Sequence, residues 1–270
     1  MSIPTLTVRK RLEAASALRS AGSFSEALEM LDSPGEFRAD LCAMRGGIEF
    51  ALGRFEDAAL SYSAVALSQP DSPEAHYNLA LCLQRSRRWD AAADAFERVL
   101  RLDADCTEAR LALGACLLEM NRAEDALENF DRVRASQRKP ALFGKAVTLQ
   151  ILGRFDEAAE IYEGLLASDP NLEEVLSNLI AMSVETHDVS GMRQHSLRLL
   201  HICPHSVAAL QGLVTAAFQD GDHEDAVSYC SRLLDLTPDS LEAWHNFRIA
   251  IGHFQFGGNK PAFAMHSGGK

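Results

Sequence analysis

The stretch from Pro73 to Cys106, PEAHYNLALCLQRSRRWDAAADAFERVLRLDADC, limits what this chain can fold into more than any other. Leu79, Ala80 and Leu83, then Trp89, Ala92, Phe96 and Val99, put large and obligately small residues at helical spacing in two runs divided by a turn. Antiparallel helices approach closely only where one side chain is nearly absent, so Ala80 and Ala92 predict a tightly closed helical hairpin. A lone hairpin of 34 residues cannot bury its apolar face, so the pattern has to recur.

It does recur. Anchored on the turn and the residue five places later, the units are Gly22 with Ala27, Gly53 with Ala58, Arg87 with Ala92, Asn121 with Ala126, Gly153 with Ala158, His187 with Met192, and Gly221 with Ala226. First helices are expected to open near Val8, Ala39, Pro73, Thr107, Lys139, Glu173 and Val207, and an eighth at Leu241 has no second helix after it. Pro70, Pro170, Pro204 and Pro238 each stand just past an expected second helix, where a missing N–H and a fixed φ do no harm. LGRFEDAA at 52–59 returns as LGRFDEAA at 152–159, a shift of 100 residues, so units one to three and four to six read as copies of one block. The first and fourth units run short, ending at Ser33-Pro34-Gly35 and at Arg134-Ala135-Ser136.

The chain resembles the tetratricopeptide repeat (TPR) family over roughly residues 8–252. The resemblance rests on the 34-residue period, the small residue in the first helix (Ala80, Gly114, Ala146), the second-helix pairs Ala58 with Tyr62, Ala92 with Phe96, Ala126 with Phe130 and Ala158 with Tyr162, and the closing proline. It implies an all-α fold, an α–α superhelix (solenoid) of about seven TPR helical hairpins with a C-terminal capping helix. The domain is expected over 8–256, with repeats near 8–38, 39–72, 73–106, 107–138, 139–172, 173–206 and 207–240 and a cap at 241–256. Residues 257–270 are expected to form a disordered tail, and Phe254, Phe256 and Phe263 are candidates for docking. The pattern breaks at Met192 and Ser196, and at Arg45 and Lys145, where an apolar residue is usual. Two readings are open for these cations: their stems lie along the hairpin surface with the charged heads in water, or, since each follows a shortened unit with an equivalent aspartate, ion bridges Asp32 to Arg45 and Asp131 to Lys145 set the stacking there.

Composition narrows the function. The chain has 270 residues, is 47% hydrophobic and only 7% aromatic, and carries a net charge of −12. Neither nucleic acid nor an anionic membrane would be attracted to it electrostatically. Its six cysteines include no CxxC pair and mostly replace small apolar residues, so they are read as buried thiols in a reducing compartment. No run approaches 18 apolar residues and the N-terminal region has no signal-peptide core, so a cytoplasmic location is expected. GxxxxGK[ST], GxSxG and HExxH are all missing, which points away from an enzyme, and no cofactor is expected. His201 and His205 have the spacing of a metal pair, but Pro204 between them is expected to end the helix, and no metal site is assigned.

By analogy with the family, the first helices line a groove that holds peptides. Its expected lining is Met44, Phe50, Tyr77, Asn78, Leu81, Arg85, Leu111, Ala115, Leu118, Phe143, Val147, Gln150, Asn178, Gln211, Thr215, Phe218 and Asn246, joined by Ala181 and His245. Asn78, Asn178 and Asn246 share one register, the start of a backbone-gripping ladder that has gaps here. The family's two-cation carboxylate clamp is not matched, since Ala43, Gly47, Glu108 and Ala112 stand where Lys, Asn, Lys and Arg are needed. Glu74, Glu108, Glu174 and Glu242 open first helices, which suits the helix dipole and makes one rim acidic, favouring a ligand with basic flanks. The expectation is a non-enzymatic scaffold for an apolar peptide or helix of a protein partner. The alternatives are a chaperone for a secretion or pilus component, or a self-assembling oligomer.

Overall fold

The computed structural model describes residues 7–32, 38–133 and 138–257. The expected ends of the short units at Ser33-Pro34-Gly35 and Arg134-Ala135-Ser136 and most of the expected tail lie outside those residues, and the docking roles suggested for Phe254, Phe256 and Phe263 fall on side chains outside the description. Among the described residues there are fifteen α-helices and no strand. Two compact units divide the chain, 1–152 and 153–270.

The first unit holds α1 (Val8–Ser20), α2 (Phe24–Leu31), α3 (Ala39–Ala51), α4 (Phe55–Ser68), α5 (Pro73–Arg85), α6 (Trp89–Leu102), α7 (Thr107–Glu119), α8 (Ala123–Asp131) and α9 (Arg138–Ile151). Each helix packs on the next, so the unit is a run of stacked hairpins of the α–α solenoid kind. Its largest core gathers Ala80, Ala92, Phe96, Val99, Leu113, Cys116 and Leu117 from α5, α6 and α7. Ala80 and Ala92 are fully buried, as close approach of the two helices requires.

The second unit holds α10 (Phe155–Ser168), α11 (Glu173–Glu185), α12 (Val189–Ile202), α13 (Val207–Asp220), α14 (His223–Leu236) and α15 (Leu241–Gly257). From α11 onward, each of its helices packs on the following one. Ser206 opens α13 by accepting the Ala209 N–H at 3.3 Å, as Ser72 opens α5 by accepting that of Ala75 at 3.2 Å. α12 stops at Ile202, short of Pro204, so His201 and His205 do not share a helix face.

Every turn anchor identified from the period adopts left-handed backbone: Gly22, Gly53, Gly153 and Gly221, but also Arg87, Asn121 and His187 at φ 59°, 57° and 56°. Glycine enters this region freely and the other three do so against steric resistance. The turn geometry is therefore imposed by closure of the hairpin rather than by the residue at the corner.

The two short second helices are tied down at their ends. Arg11 of α1 is buried and donates to the Met30 and Leu31 carbonyls at 3.0 and 2.9 Å, satisfying the last turn of α2. Arg45 lies 3.5 Å from Asp32, and Lys145 donates to Asp131 at 2.6 Å, so both expected bridges form. Arg45 has a stronger partner that the sequence comparison did not suggest. It donates at 2.8 Å to Glu49, a buried carboxylate that also accepts from the Ser61 hydroxyl at 2.7 Å. In the second copy of the block Glu49 and Ser61 correspond to Leu149 and Ile161, so the charged pair there reduces to Asp131 and Lys145.

Beside the short α8, first helix meets first helix: α7 packs directly on α9. The Phe130 ring is held between them, and a Cβ at Gly114 or Gly144 would approach its carbons to 2.7 or 2.6 Å. In the second unit α11 packs on α13 in the same way. There the irregular Ser196, fully buried, replaces an aromatic ring, and Gly212 comes so close that a Cβ would meet Ile180 at 2.7 Å. The departure from the repeat pattern at Ser196 thus draws two first helices together.

Candidate functional site

Within the first unit α3, α5, α7 and α9 are all first helices, separated by antiparallel second helices, and so run in one sense. One side of each is sealed into the hairpin core: on α7 that side carries Ala109, Leu113, Cys116 and Leu117. The other side is not sealed. Met44, Phe50, Tyr77, Asn78, Leu81, Leu111, Leu118, Phe143, Val147 and Gln150 are half-buried, and Arg85 and Ala115 are exposed. Phe50, Tyr77, Leu81, Leu111 and Leu118 rest one flank on the main core, and Met44 rests on the core of the first hairpins. These side chains are at once the wall of the core and a partly open apolar surface.

At the C-terminal end of this lining lies a cavity of about 330 Å3 bounded by Gln84, Arg85, Arg87, Trp89, Ala115 and Glu119. The Arg85 guanidinium stands over the Phe55 ring at 4.9 Å and the Phe50 ring at 5.9 Å, and the two rings meet edge to face at 5.3 Å. Such stacking holds the guanidinium in place while leaving its N–H edge available.

The second unit carries a lining of its own. Asn178, Thr215, Phe218 and Asn246 are half-buried, and Ala181, Gln211 and His245 are exposed. Asn178 is engaged inward as a hydrogen-bond partner of the fully buried Tyr162 hydroxyl, whose pKa burial pushes up to about 12. It is thereby withdrawn from the expected ladder.

Sequence models of the tetratricopeptide repeat match residues 44–105, 83–149 and 140–172. The chain is a tetratricopeptide repeat protein. Solved structures agree with this TPR fold. A tetratricopeptide repeat protein from Parabacteroides merdae is 14% identical, with a TM-score of 0.67 over 90% of this chain and 98% of that one. PilW, a widely conserved type IV pilus biogenesis factor, is 16% identical with a TM-score of 0.66, over 79% of this chain and 98% of its own. YrrB, a TPR protein with an unusual peptide-binding site, is 18% identical with a TM-score of 0.56, over 70% and 96%. At these identities the likeness concerns the fold. A comparison with curated proteins gives no match. The TPR fold is that of a protein-interaction scaffold.

Four residues of the TPR chain's turn-end cavity were not among the expected lining: Gln84, Arg87, Trp89 and Glu119. The signal for three of them was present as QRSRRW at 84–89, a run with three arginines in an acidic chain. Its meaning depends on which neighbouring helix it faces. Among the described residues no three of His, Cys, Asp and Glu are grouped to hold a metal, and no helix is long and apolar enough to cross a membrane. All six cysteines are free thiols. Burial pushes Cys82 up to about 12 and Cys116 and Cys230 up to about 11, so these three are poor nucleophiles at neutral pH.

Proposed function

We propose that this TPR protein is a non-enzymatic scaffold whose first unit holds an apolar segment or helix of a partner protein along α3, α5, α7 and α9. One observation carries the reading: the large apolar residues on that side stop at half burial, although the same helices seal their other side completely. Complete burial of a Leu or Phe is worth roughly 1.5–3 kcal/mol. Finishing the burial of four or five half-covered ones therefore supplies several kcal/mol, enough for micromolar binding after ordering costs. Exposed Glu74 and Glu108, at the N-terminal ends of α5 and α7, favour basic residues at that end of the ligand. Gln211, Thr215, Phe218 and Asn246 are proposed as a second stretch of lining in the other unit. A reducing, cytoplasmic setting is supported by six unpaired cysteines.

The test is a peptide-display selection on wild type and on a Phe143→Glu, Leu111→Glu double variant, with helix content checked by circular dichroism. Apolar peptides should be enriched on wild type and lost on the variant, and equal enrichment on both would overturn the reading. A second reading, a chaperone for a secretion or pilus component, draws on the fold shared with PilW across 79% of this chain. It predicts binding of an unfolded client and no binding once that client is folded. For the self-assembling alternative, removal of residues 257–270 should abolish self-association measured by light scattering.

A further inference from the structure

Because the first helices of the first unit run in one sense, their C-terminal ends and the turns that follow gather at one end of the apolar lining, and the loops between hairpins gather at the other. Both ends carry both signs, with Arg98 and Arg101 also near the loop end and Glu119, Glu124 and Asp125 also near the turn end. The loop end carries exposed Asp71, Glu74, Asp103, Asp105 and Glu108. The turn end carries Arg54, Arg85, Arg87 and Arg88, and among the described residues none of these four has a carboxylate at ion-pair distance. This is not for want of candidates. Glu56, Asp57 and Asp90 lie within a few positions of them in sequence. First helices end where second helices begin, so macrodipoles of both signs meet at this edge and largely offset, leaving the side-chain charges to decide.

Two of these arginines line the turn-end cavity together with a single acid, Glu119, itself exposed. Arg85 is already held by its stack on Phe55 at 4.9 Å, so a carboxylate meeting it would not have to immobilise a free side chain. The cavity, about 330 Å3, is at the small end of the roughly 300–1,000 Å3 range for sites that hold a whole small molecule. A residue or two of a peptide fits it better, with Trp89 and Ala115 covering the aliphatic stem.

We infer that this cavity binds a carboxylate of the partner segment, so that the ligand is polar along its length: acidic at the turn end, apolar over the first helices, basic at the loop end. The inference deepens the proposed function and rests on that reading of the first unit. The carboxylate is an acidic side chain or a chain terminus.

The experiment is a peptide-display selection on the full chain, on Arg85→Gln with Arg87→Gln, on Glu119→Gln and on the Phe143→Glu, Leu111→Glu variant. Wild type should enrich apolar peptides with Asp or Glu on one flank, the double arginine variant should lose the acidic preference while keeping the apolar one, and Glu119→Gln should sharpen it. For one enriched peptide, the arginine changes should weaken affinity about threefold to tenfold and Arg85→Lys should not restore it. The peptide made with a free and with an amidated C-terminus separates a terminal from a side-chain carboxylate. Apolar enrichment with no acidic preference overturns the inference and leaves the proposed function standing. An acidic preference that depends on Arg85 and survives the Phe143, Leu111 change overturns the groove reading and keeps the carboxylate site. No enrichment of either class overturns both.

Discussion

Phe130 is flanked by glycine on two helices, and adding one methyl group to either tests how the short α8 hairpin is closed. A Cβ at residue 144 would lie 2.6 and 2.7 Å from carbons of the ring, and one at residue 114 would lie 2.7 Å from two of them. Both are far inside the separation of roughly 3.5–4.0 Å at which carbon atoms attract. A ring held from both sides cannot tilt away from one methyl without meeting the opposite helix. Gly164 supplies the reference, since it lies inside α10 and a Cβ there meets nothing within 4 Å. Gly164→Ala should therefore stabilise by about the helix-propensity difference of 0.8–1.0 kcal/mol. That gain is common to Gly144→Ala and cancels when the two variants are compared, leaving an overpacking penalty of about 1–3 kcal/mol for the crowded site. Urea unfolding followed by circular dichroism measures both. Repeating Gly144→Ala in a Phe130→Leu background completes a double-mutant cycle, in which about 1 kcal/mol or more of the penalty should disappear with the ring. Equal stabilisation by Gly144→Ala and Gly164→Ala, or a penalty indifferent to Phe130, would refute the argument that the ring dictates the helix spacing.

Arg45→Met should cost about 1.5–3 kcal/mol, because it removes a charged hydrogen bond from the buried Glu49 carboxylate. Lys145→Met should cost no more than about 1 kcal/mol, since Lys145 and Asp131 are 31% and 50% exposed; equal losses in urea unfolding would contradict the distinction. His195 of α12 is buried, its Nδ1 has no hydrogen-bond partner among the described residues and lies 3.9 Å from Glu163 Oε1, and burial lowers its pKa against the opposing pull of that carboxylate. The unfolded chain then binds the proton first, so stability should decline as pH falls from about 6.5 toward the depressed value, by at most about 1.4 kcal/mol per pH unit. His195→Gln should flatten that slope, and an unchanged slope would assign it elsewhere. Iodoacetamide on the native protein should reach only Cys42, Cys106 and Cys203, leaving fully buried Cys82, Cys116 and Cys230 unmodified until the chain unfolds. Mass mapping of rapid labelling at Cys82 would count against its burial.

Repetition made much of this TPR protein legible before any coordinates. Small and large residues recurring in phase located the turn anchors, and six of the seven hairpins have their first helix opening at the expected residue, with α9 opening at Arg138 rather than Lys139. The bridges from Asp32 and Asp131 were also readable, because two shortened units each preceded a cation where an apolar residue belonged. These features are local or periodic, and a helical period constrains its own side chains and its neighbour's.

What the sequence by itself determined, then, is the repeating hairpin and the places of its turns. Tertiary structure decided the contacts in which residues far apart in the period meet. Glu49, one turn from Arg45 on the same helix, was buried and met the Ser61 hydroxyl through the packing of α3 on α4, and Tyr162 drew Asn178 away from an outward role. Ser196 and Gly212 acquired their meaning only when α11 approached α13. The arginine-lined cavity is of the same kind: its walls come from two hairpins and a turn, and whether charge at those places is paired or left facing solvent depends on distances that no spacing along the chain encodes.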